Sequence, residues 1–287
     1  MKVSEILKNK HPVLSFEVFP PKTSDSFESV KSATEKIAQL HPDFMSVTYG
    51  AGGGTSAYTL SIAENLKNQY NVTTVAHLTC VSSTKEAVGN QLQKLKEAKI
   101  ENILALRGDI PEGLEDRSQW SYHYANELIT DIKAAGDFCI GGACYPEGHV
   151  ESETVAEDIR HLKQKVDAGC DFLTTQMFFD NNVFYNFLYK IREAGITVPV
   201  IAGIMPVTNG KQIKRICQLS GTYLPQRFKQ IVDTFGSNPD AMKQAGIAYA
   251  TEQIIDLYAN GIPAVHVYSM NKPEVAAKIK ENLSCII

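Results

Sequence analysis

The sequence lacks several features that mark specialised classes of protein. It has no run of about 18 apolar residues, so no membrane-spanning helix is predicted. It has no basic cluster, so nucleic acid is not a predicted partner. Its six cysteines form no CxxC pair, and several lie in apolar, strand-like runs. We therefore expect reduced cysteines that pack in a core, not a disulfide or zinc framework.

The composition that remains is that of an ordinary globular protein. The chain has 287 residues, of which 44% are hydrophobic and 21% are charged, with a net charge of -4. Its N-terminal segment has no long apolar stretch of the kind found in secretory signal peptides. We expect a soluble, cytoplasmic protein that can bury a large core and that does not bind anionic membrane surfaces.

Short apolar, β-branched runs recur along the chain, separated by segments with helical periodicity. The runs span residues 13–19, 44–50, 73–80, 102–109, 139–146, 172–179, 198–206 and 264–270. Strands that alternate with helices indicate parallel βαβ units, and nearly continuous apolar strands indicate a sheet covered on both faces.

Eight such units predict a single (β/α)8 TIM barrel over residues 1–287. A doubly wound open sheet is the alternative, but no strand is followed by the G-x-G-x-x-G motif. Extra helix is predicted before the last strand, where residues 224–235 and 239–259 indicate two helices instead of one.

Polar residues collect at the C-terminal ends of these runs, where barrel enzymes carry their active sites. They are Glu17, Thr48, Tyr49, His77, Thr79, Arg107, Asp109, Tyr145, Glu147, His149 and Gln176. A barrel that needed only stability would carry Val, Ile and Leu there, so this distribution favours a functional site.

Some of these residues also have a structural interpretation. Glu17 is a candidate for a buried acid paired with Arg107 inside the barrel. His77 alone is best explained as a hydrogen-bonded strand histidine. Arg107 and Asp109 are candidates to pair with each other or to cap the following loop.

Two further patterns are less specific. The glycine-rich loop Gly50–Gly54 resembles a phosphate cradle but lacks the lysine of a P-loop. His149 and His161 have acidic neighbours, yet their spacings form no recognised ligand set, and no metal is predicted.

The chemistry follows from Glu17. A lone glutamate in an apolar strand has a raised pKa, because burial disfavours its charged form, and it can act as a general acid near neutral pH. His, Arg, Asp, Tyr and Gln suit a polar ring system and phosphate. The residues alone thus predict a barrel enzyme with an acid catalyst and an organic cofactor.

Seven motifs, in order, resemble the methylenetetrahydrofolate reductase family of the bacterial, single-domain type. They are SFEVFPPKT, SVTYGAGG, AHLTC, LALRGD, ACYPEGH, VDAGCDFLTTQMFFD and PVIAGIMPV. The resemblance implies a flavin-binding (β/α)8 domain with non-covalent FAD. It also implies reduction of the flavin by NADH or NADPH, and then of 5,10-methylenetetrahydrofolate to 5-methyltetrahydrofolate. Members are commonly homo-oligomers.

Residue roles follow from the same resemblance. Glu17 matches the general acid, and Asp109 matches an aspartate beside the flavin and the pterin. Substrate positions match Thr48, Gln176, Gln212 and Lys272. Positions that contact FAD match Tyr49, Ala51, His77, Arg107, Gly108, Asp109, Ala125, Tyr145, His149, Ser152, Asp158, His161, Gln164 and Lys165.

The sequence departs from the family pattern at two substrate positions. Lys272 stands where members commonly carry arginine, and Ile216 stands where some carry an aromatic residue. Two alternative functions are a related barrel flavoenzyme such as proline dehydrogenase, and a non-catalytic partner or flavin-binding subunit of a larger complex. The glycine-rich loop and Glu17 argue against the first, and the joint presence of Glu17, Asp109 and Gln176 argues against the second.

Overall fold

The computed structural model describes residues 1–21, 23–49, 56–110, 117 and 120–287. Its strands are β1 (Val13–Val18), β2 (Phe44–Val47), β3 (Thr74–Thr79), β4 (Asn102–Leu106), β5 (Cys139–Cys144), β6 (Phe172–Thr175), β7 (Val200–Ile204) and β8 (Ala264–Tyr268). Its helices are α1 (Val3–Asn9), α2 (Phe27–Ala38), α3 (Ser56–Tyr70), α4 (Lys85–Glu97), α5 (Ala125–Ala135), α6 (Val155–Asp167), α7 (Asn181–Glu193), α8 (Gly210–Ser220), α9 (Gln226–Phe235), α10 (Pro239–Ala259) and α11 (Pro273–Asn282).

The strands form a closed barrel in chain order, with every neighbouring pair parallel and β8 paired to β1. The (β/α)8 prediction is confirmed, and an open doubly wound sheet is excluded. Glu17 on β1 lies opposite Ser46 on β2 and Tyr268 on β8. Because all strands run the same way, the residues that follow them meet at one end of the barrel.

The predicted strand runs extend too far. The run 172–179 ends as a strand at Thr175. Phe178 and Phe179 beyond it are apolar for another reason, since each ring stacks on a phenylalanine of a helix, Phe184 and Phe228 respectively. The loops after shortened strands therefore carry Thr48, Tyr49, Arg107, Asp109, Tyr145 and Gln176.

The connection between β7 and β8 contains three helices, α8, α9 and α10, where the sequence predicted two. Phe228 of α9 and Met242 of α10 pack with Val207 and Ile213 in a small separate core. This core holds the additional helices against the loop that follows β7.

The N-terminal helix α1 was not predicted. Its apolar residues Val3, Ile6 and Leu7 are buried against barrel residues that include Phe44 and Phe172. The helix also donates the backbone N–H of Val3 to the side chain of Asn102 (2.8 Å). The N-terminal end of the barrel is thus closed by an apolar plug.

A glycine in β7 makes room inside the barrel. A Cβ on Gly203 would lie 2.3 Å from the carbonyl oxygen of Thr175 and 2.5 Å from the hydroxyl of Tyr268. The Tyr268 hydroxyl occupies this space and donates to Thr175 O. A side chain at this position would collide with the Tyr268 ring and with the Thr175 backbone.

Candidate active site

A cavity of about 690 Å³ opens at the C-terminal end of the barrel. It falls within the size range of small-molecule sites, roughly 300–1,000 Å³. The predicted site residues that line it are Glu17, Thr48, Tyr49, His77, Arg107, Gly108, Asp109, Ala125, Tyr145, His149, Ser152, Asp158, His161, Gln164, Lys165 and Gln176.

Glu17 lies near the end of β1, inside the cavity. Its side chain is 21% exposed, and burial raises its pKa to about 8. At neutral pH the carboxyl group therefore keeps a proton that an exposed glutamate would have lost. The structure does not show the alternative pairing of Glu17 with Arg107, because the Arg107 guanidinium has a different partner.

His77 is the nearest ionisable neighbour of Glu17, with its Nε2 atom 3.7 Å from Glu17 Oε2. Burial lowers the pKa of His77 to about 3, so the imidazole is neutral. Its Nε2 atom is buried and has no hydrogen-bond partner within the described part of the chain. The interpretation of His77 as a fully hydrogen-bonded strand histidine is therefore wrong for its Nε2 atom. That atom is available to a ligand or to Glu17.

A second neutral histidine lies deeper in the barrel. The ring nitrogens of His266 contact the hydroxyls of Ser15 (2.7 Å) and Ser46 (2.8 Å). Ser15 donates its hydroxyl proton to Val265 O, so it accepts from Nδ1–H, and Nε2 accepts from Ser46. The pKa of His266 is lowered to about 3, mainly by burial and to a smaller extent by the neighbouring His77. This satisfied layer separates the cavity from the apolar plug.

Arg107, directly after β4, forms a two-point ion pair with Glu151. Its terminal nitrogens donate to Glu151 Oε2 (2.6 Å) and Oε1 (2.7 Å), and its Nε donates to Gly108 O (3.2 Å). The alternatives that paired Arg107 with Glu17 or with Asp109 are wrong. A loop that follows β5 supplied the partner, and no local spacing indicated it.

Gly108 turns the chain between Arg107 and Asp109. Its φ angle is +89°, and a Cβ would lie 2.8 Å from Val81 Cγ1. An L-residue is disfavoured on both counts. The turn carries Asp109 to the cavity rim, where its side chain is exposed.

Lys165 and Asp158, both on α6, form a second pair of opposite charges in the cavity wall. The Lys165 ammonium donates to Ala143 O (2.9 Å) and lies 5.9 Å from the Tyr145 ring centre. Burial lowers the pKa of Lys165 while Asp158 opposes that effect. Asp158 is 9% exposed, and the hydroxyl of Ser152 donates to it (3.4 Å).

Aromatic rings cover the same wall. His149 meets Tyr145 edge to face at 4.6 Å, and His161 stacks with Tyr124 at 6.4 Å. Burial, and then Arg107, lower the pKa of His149. Flat rings beside cations suit an extended molecule that carries both aromatic and anionic groups.

Gln176 and Thr48 lie on opposite sides of the barrel mouth. The Gln176 side chain accepts from the backbone N–H of Met177 (2.9 Å), which leaves its amide NH₂ as a donor. The backbone N–H of Thr48 donates to Val18 O, which extends the pairing of β2 with β1 beyond the end of β2. Both side chains line the cavity.

Of the three remaining predicted residues, one lies outside the described part of the chain and two are described but do not line the cavity. Ala51, like the rest of Gly50–Gly54, lies outside the described residues. Gln212 is exposed at the start of α8. Lys272 donates to the hydroxyl of Thr208 (2.6 Å), in the loop between β7 and α8.

Sequence reasoning missed other residues that line the cavity, among them Glu151, Tyr268 and three methionines, Met177, Met205 and Met270. Tyr268 ends β8, so the rule applied to the other strands identifies it as well. Ile216, noted in the sequence as a departure, lines the cavity. Glu151 lies in a loop without periodicity and had no sequence signal.

Two other features are absent from the described residues. No helix there is both long and apolar enough to cross a membrane. Nor does that part of the chain group three or more His, Cys, Asp or Glu side chains where they could hold a metal ion.

The fold and the cavity define a (β/α)8 barrel protein with a neutral buried acid and a wall of cations and aromatic rings. Residues 2–284 match the family model described as methylenetetrahydrofolate reductase. The chain belongs to that family.

Individual relatives support the same family assignment. The 5,10-methylenetetrahydrofolate reductase of Escherichia coli K12 is 34% identical over 270 residues, which is 94% of this chain and 90% of the relative. Methylenetetrahydrofolate reductase (NADH) 1 of Zea mays is 35% identical over 298 residues, which is 99% of this chain and 50% of the relative. This chain thus spans about half the length of the plant relatives it matches.

A solved structure shares the fold at low sequence identity. It is described as an uncharacterized protein from Clostridium thermocellum that binds two copies of 5-methyl-5,6,7,8-tetrahydrofolic acid. The TM-score is 0.70 at 14% identity, with 100% of both chains covered.

Proposed function

We propose that the protein is an FAD-dependent reductase that converts 5,10-methylenetetrahydrofolate to 5-methyltetrahydrofolate with electrons from NADH or NADPH. One observation carries this proposal within the family: Glu17, with a pKa raised to about 8, lines the cavity at the barrel mouth. A proton held there at neutral pH suits the opening of a cyclic aminal such as the imidazolidine ring of this folate.

The residues of the cavity wall fit FAD. Arg107 and Lys165 are cations suited to a diphosphate, and His149 offers a ring nitrogen beside them. His77 also lines the cavity, and its buried Nε2 atom has no hydrogen-bond partner among the described residues. When bound, FAD would accept a hydride from NAD(P)H and deliver one to the folate. The protein's own contribution is to bind, orient and protonate.

Glu17 is the proposed catalytic acid. Its carboxyl proton would go to the ring nitrogen that leaves when the imidazolidine ring opens, and the carboxylate would then regain a proton before the next cycle. His77, 3.7 Å away and neutral, adds no positive charge that would stabilise the carboxylate. The proton is therefore retained until substrate arrives.

The substrate-facing residues have separate proposed roles. Asp109 at the cavity rim is proposed to hold the pterin beside the flavin, and Gln176 to bind both folate and nicotinamide through its free amide donors. Thr48 is proposed for the nicotinamide. Gln212 and Lys272 are proposed for the outer part of the folate, where the Lys272 ammonium suits the carboxylates of the glutamate tail.

Anaerobic stopped-flow spectroscopy of the purified full chain tests this function. We expect a yellow protein that releases FAD on denaturation. NADH or NADPH should bleach the flavin in a first half-reaction, and 5,10-methylenetetrahydrofolate should restore its absorbance in a second. Comparing the two nicotinamides under identical conditions also determines the electron donor.

Two outcomes would contradict the proposal. One is a colourless protein that cannot be reconstituted with FAD. The other is a flavoprotein whose reduced form is reoxidised by oxygen or menadione but not by the folate. The second outcome would favour another barrel flavoenzyme, and a screen of small amino acids, starting with proline, would follow.

A further inference from the structure

The cations that face the cavity are already balanced by anions of the chain itself. Arg107 is paired through two hydrogen bonds with Glu151, and Lys165 faces Asp158. A diphosphate that uses these cations must share or displace those carboxylates. The two pairs differ in how easily this can happen.

Asp158 is held in place. It lies in the first turn of α6 and is 9% exposed. It accepts from the Ser152 hydroxyl and from the backbone N–H of His149. Moving its carboxylate would break these contacts in a buried position.

Glu151 is held by fewer contacts. It lies in the loop between β5 and α6, and its side chain is 42% exposed. Within the described residues its carboxylate has hydrogen bonds only to Arg107. Arg107, in contrast, is 16% exposed and anchored by its own bond to Gly108 O. If the pair opens, Glu151 is the member that moves.

A second cation is within reach of the displaced carboxylate. The guanidinium of Arg117 lies 4.0 Å from Glu151 Oε2 and 5.8 Å from the centre of the Trp120 ring. A small rotation of Glu151 can therefore exchange Arg107 for Arg117 without leaving the carboxylate unpaired. Arg107 favours the ionised form of Glu151 and lowers its pKa, so the competing group is an anion at neutral pH.

We propose that Glu151 is an internal counter-anion that covers the phosphate-binding edge of Arg107 and sets the affinity for the anionic cofactor. A guanidinium can bind an anion bidentately through its two terminal nitrogens or through Nε and one of them. In Arg107, Gly108 O already accepts from Nε and Glu151 accepts from both terminal nitrogens, so a phosphate oxygen pair must compete with the Glu151 carboxylate. The identity of the anion as the FAD diphosphate rests on the proposed function, whereas the competition for Arg107 does not.

Ligand binding to the flavin-free full chain tests the competition without reference to activity. The variant is Glu151→Gln, which keeps the shape of the side chain but removes its charge. The matched control is Glu153→Gln, an exposed carboxylate of the same loop. The probes, followed by calorimetry or fluorescence, are FAD, riboflavin, which has no phosphate, and inorganic pyrophosphate.

We expect Glu151→Gln to bind FAD and pyrophosphate about 5- to 10-fold more tightly, the scale of a partly exposed ion pair. Riboflavin should bind as before, and Glu153→Gln should change every affinity by less than about twofold. Unchanged or weaker binding of pyrophosphate by Glu151→Gln would overturn the proposal. So would an equal gain for riboflavin, since that ligand cannot compete for Arg107.

Repeating the measurement in the Arg107→Lys variant distinguishes direct competition for the guanidinium from a general change in the electrostatic potential of the cavity. If Glu151 acts through the two-point pair, the gain from Glu151→Gln should shrink to less than about twofold when the guanidinium is absent. A full gain in that background contradicts the inference. If pyrophosphate shows the expected pattern but FAD does not bind at all, the proposed function fails while the role of Glu151 is supported.

Discussion

The two ends of the barrel are built from the same strands but carry opposite kinds of side chain. At the N-terminal end, Leu7 of α1 and Phe172 of β6 pack in an apolar cluster. At the C-terminal end, Glu17 and His77 face a cavity with perturbed pKa values. The layer around His266 lies between them, polar but fully hydrogen bonded.

The two ends of the barrel therefore have different roles: the N-terminal end stabilises the fold, and the C-terminal end carries the candidate active site. The plugged end holds the barrel closed, because its apolar side chains exclude water and its buried Asn102 side chain is hydrogen bonded to Val3 and Thr74. The open end accepts a cost in stability, since a buried glutamate is kept where an apolar residue would pack better. Substitutions at the two ends should therefore affect different measurements.

The largest expected effect is that of Glu17→Gln on catalysis. The amide cannot donate the acid's proton, so the folate half-reaction should slow by about 10²- to 10⁴-fold. Reduction of the flavin by NAD(P)H should change little, because that step needs no acid. Stopped-flow measurement of both half-reactions checks this. Equal loss in both would mean that Glu17 supports the site structurally.

The second effect is that of Phe172→Ala at the plugged end. Removing this ring, which is 1% exposed, should lower the free energy of unfolding by about 3–5 kcal/mol. Urea titration measures it, with Phe235→Ala, at a ring 41% exposed, as control. The half-reaction rates of the folded variant should match those of the parent. A large rate loss would show that the ends are not independent.

The third effect is a pH dependence of stability. With a pKa of about 8, folded Glu17 stays protonated in a range where the unfolded chain, with a pKa of about 4.3, has lost the proton. By linkage, the contribution of this group to stability is complete below the unfolded pKa and is lost as pH rises toward 8.

Glu17→Gln should remove this slope. Between about pH 5 and pH 8, the stability of the variant relative to the parent should rise by about 3 kcal/mol. Denaturant titrations at several pH values measure it, and Glu28→Gln, at an exposed glutamate of α2, is the control. A difference independent of pH would mean that Glu17 is ionised in the folded protein.

The smallest effect is expected in the layer between the two ends. Ser46→Ala removes the donor to His266 Nε2 and should cost about 1–2 kcal/mol, because a buried nitrogen loses its partner. Ser32→Ala, at an exposed serine of α2, should stay within about 0.5 kcal/mol. A cost for Ser46→Ala no larger than that of the control would show that the layer is not needed to support the cavity.

Much of the C-terminal end was predictable from local patterns. Alternating strands and helices indicated the barrel, and the polar residue at the end of a run identified Glu17, His77, Arg107 and Gln176 without any partner being known. This worked because parallel strands bring consecutive C-terminal ends together. The assignment of catalytic and binding roles to these residues stays a prediction.

The plugged end was less predictable. Helix α1 has seven residues, too few for a periodic pattern to be distinguished from chance. The run 172–179 was assigned wholly to a strand because Phe178 and Phe179 are apolar, although they pack on helices. An apolar residue in the sequence indicates a buried position. It does not indicate which secondary-structure element the residue belongs to or packs against.

The number and order of the strands, the acid in the first strand and the family could all be inferred from the amino-acid sequence, because they depend on local periodicity and on motifs in order. The three-dimensional fold was needed to show that Arg107 pairs with Glu151 and not with Glu17. It was also needed to show that the buried Nε2 atom of His77 has no hydrogen-bond partner among the described residues, and that Tyr268 packs against Gly203. These depend on contacts between distant segments and on the loss of water around each group, which no local pattern encodes.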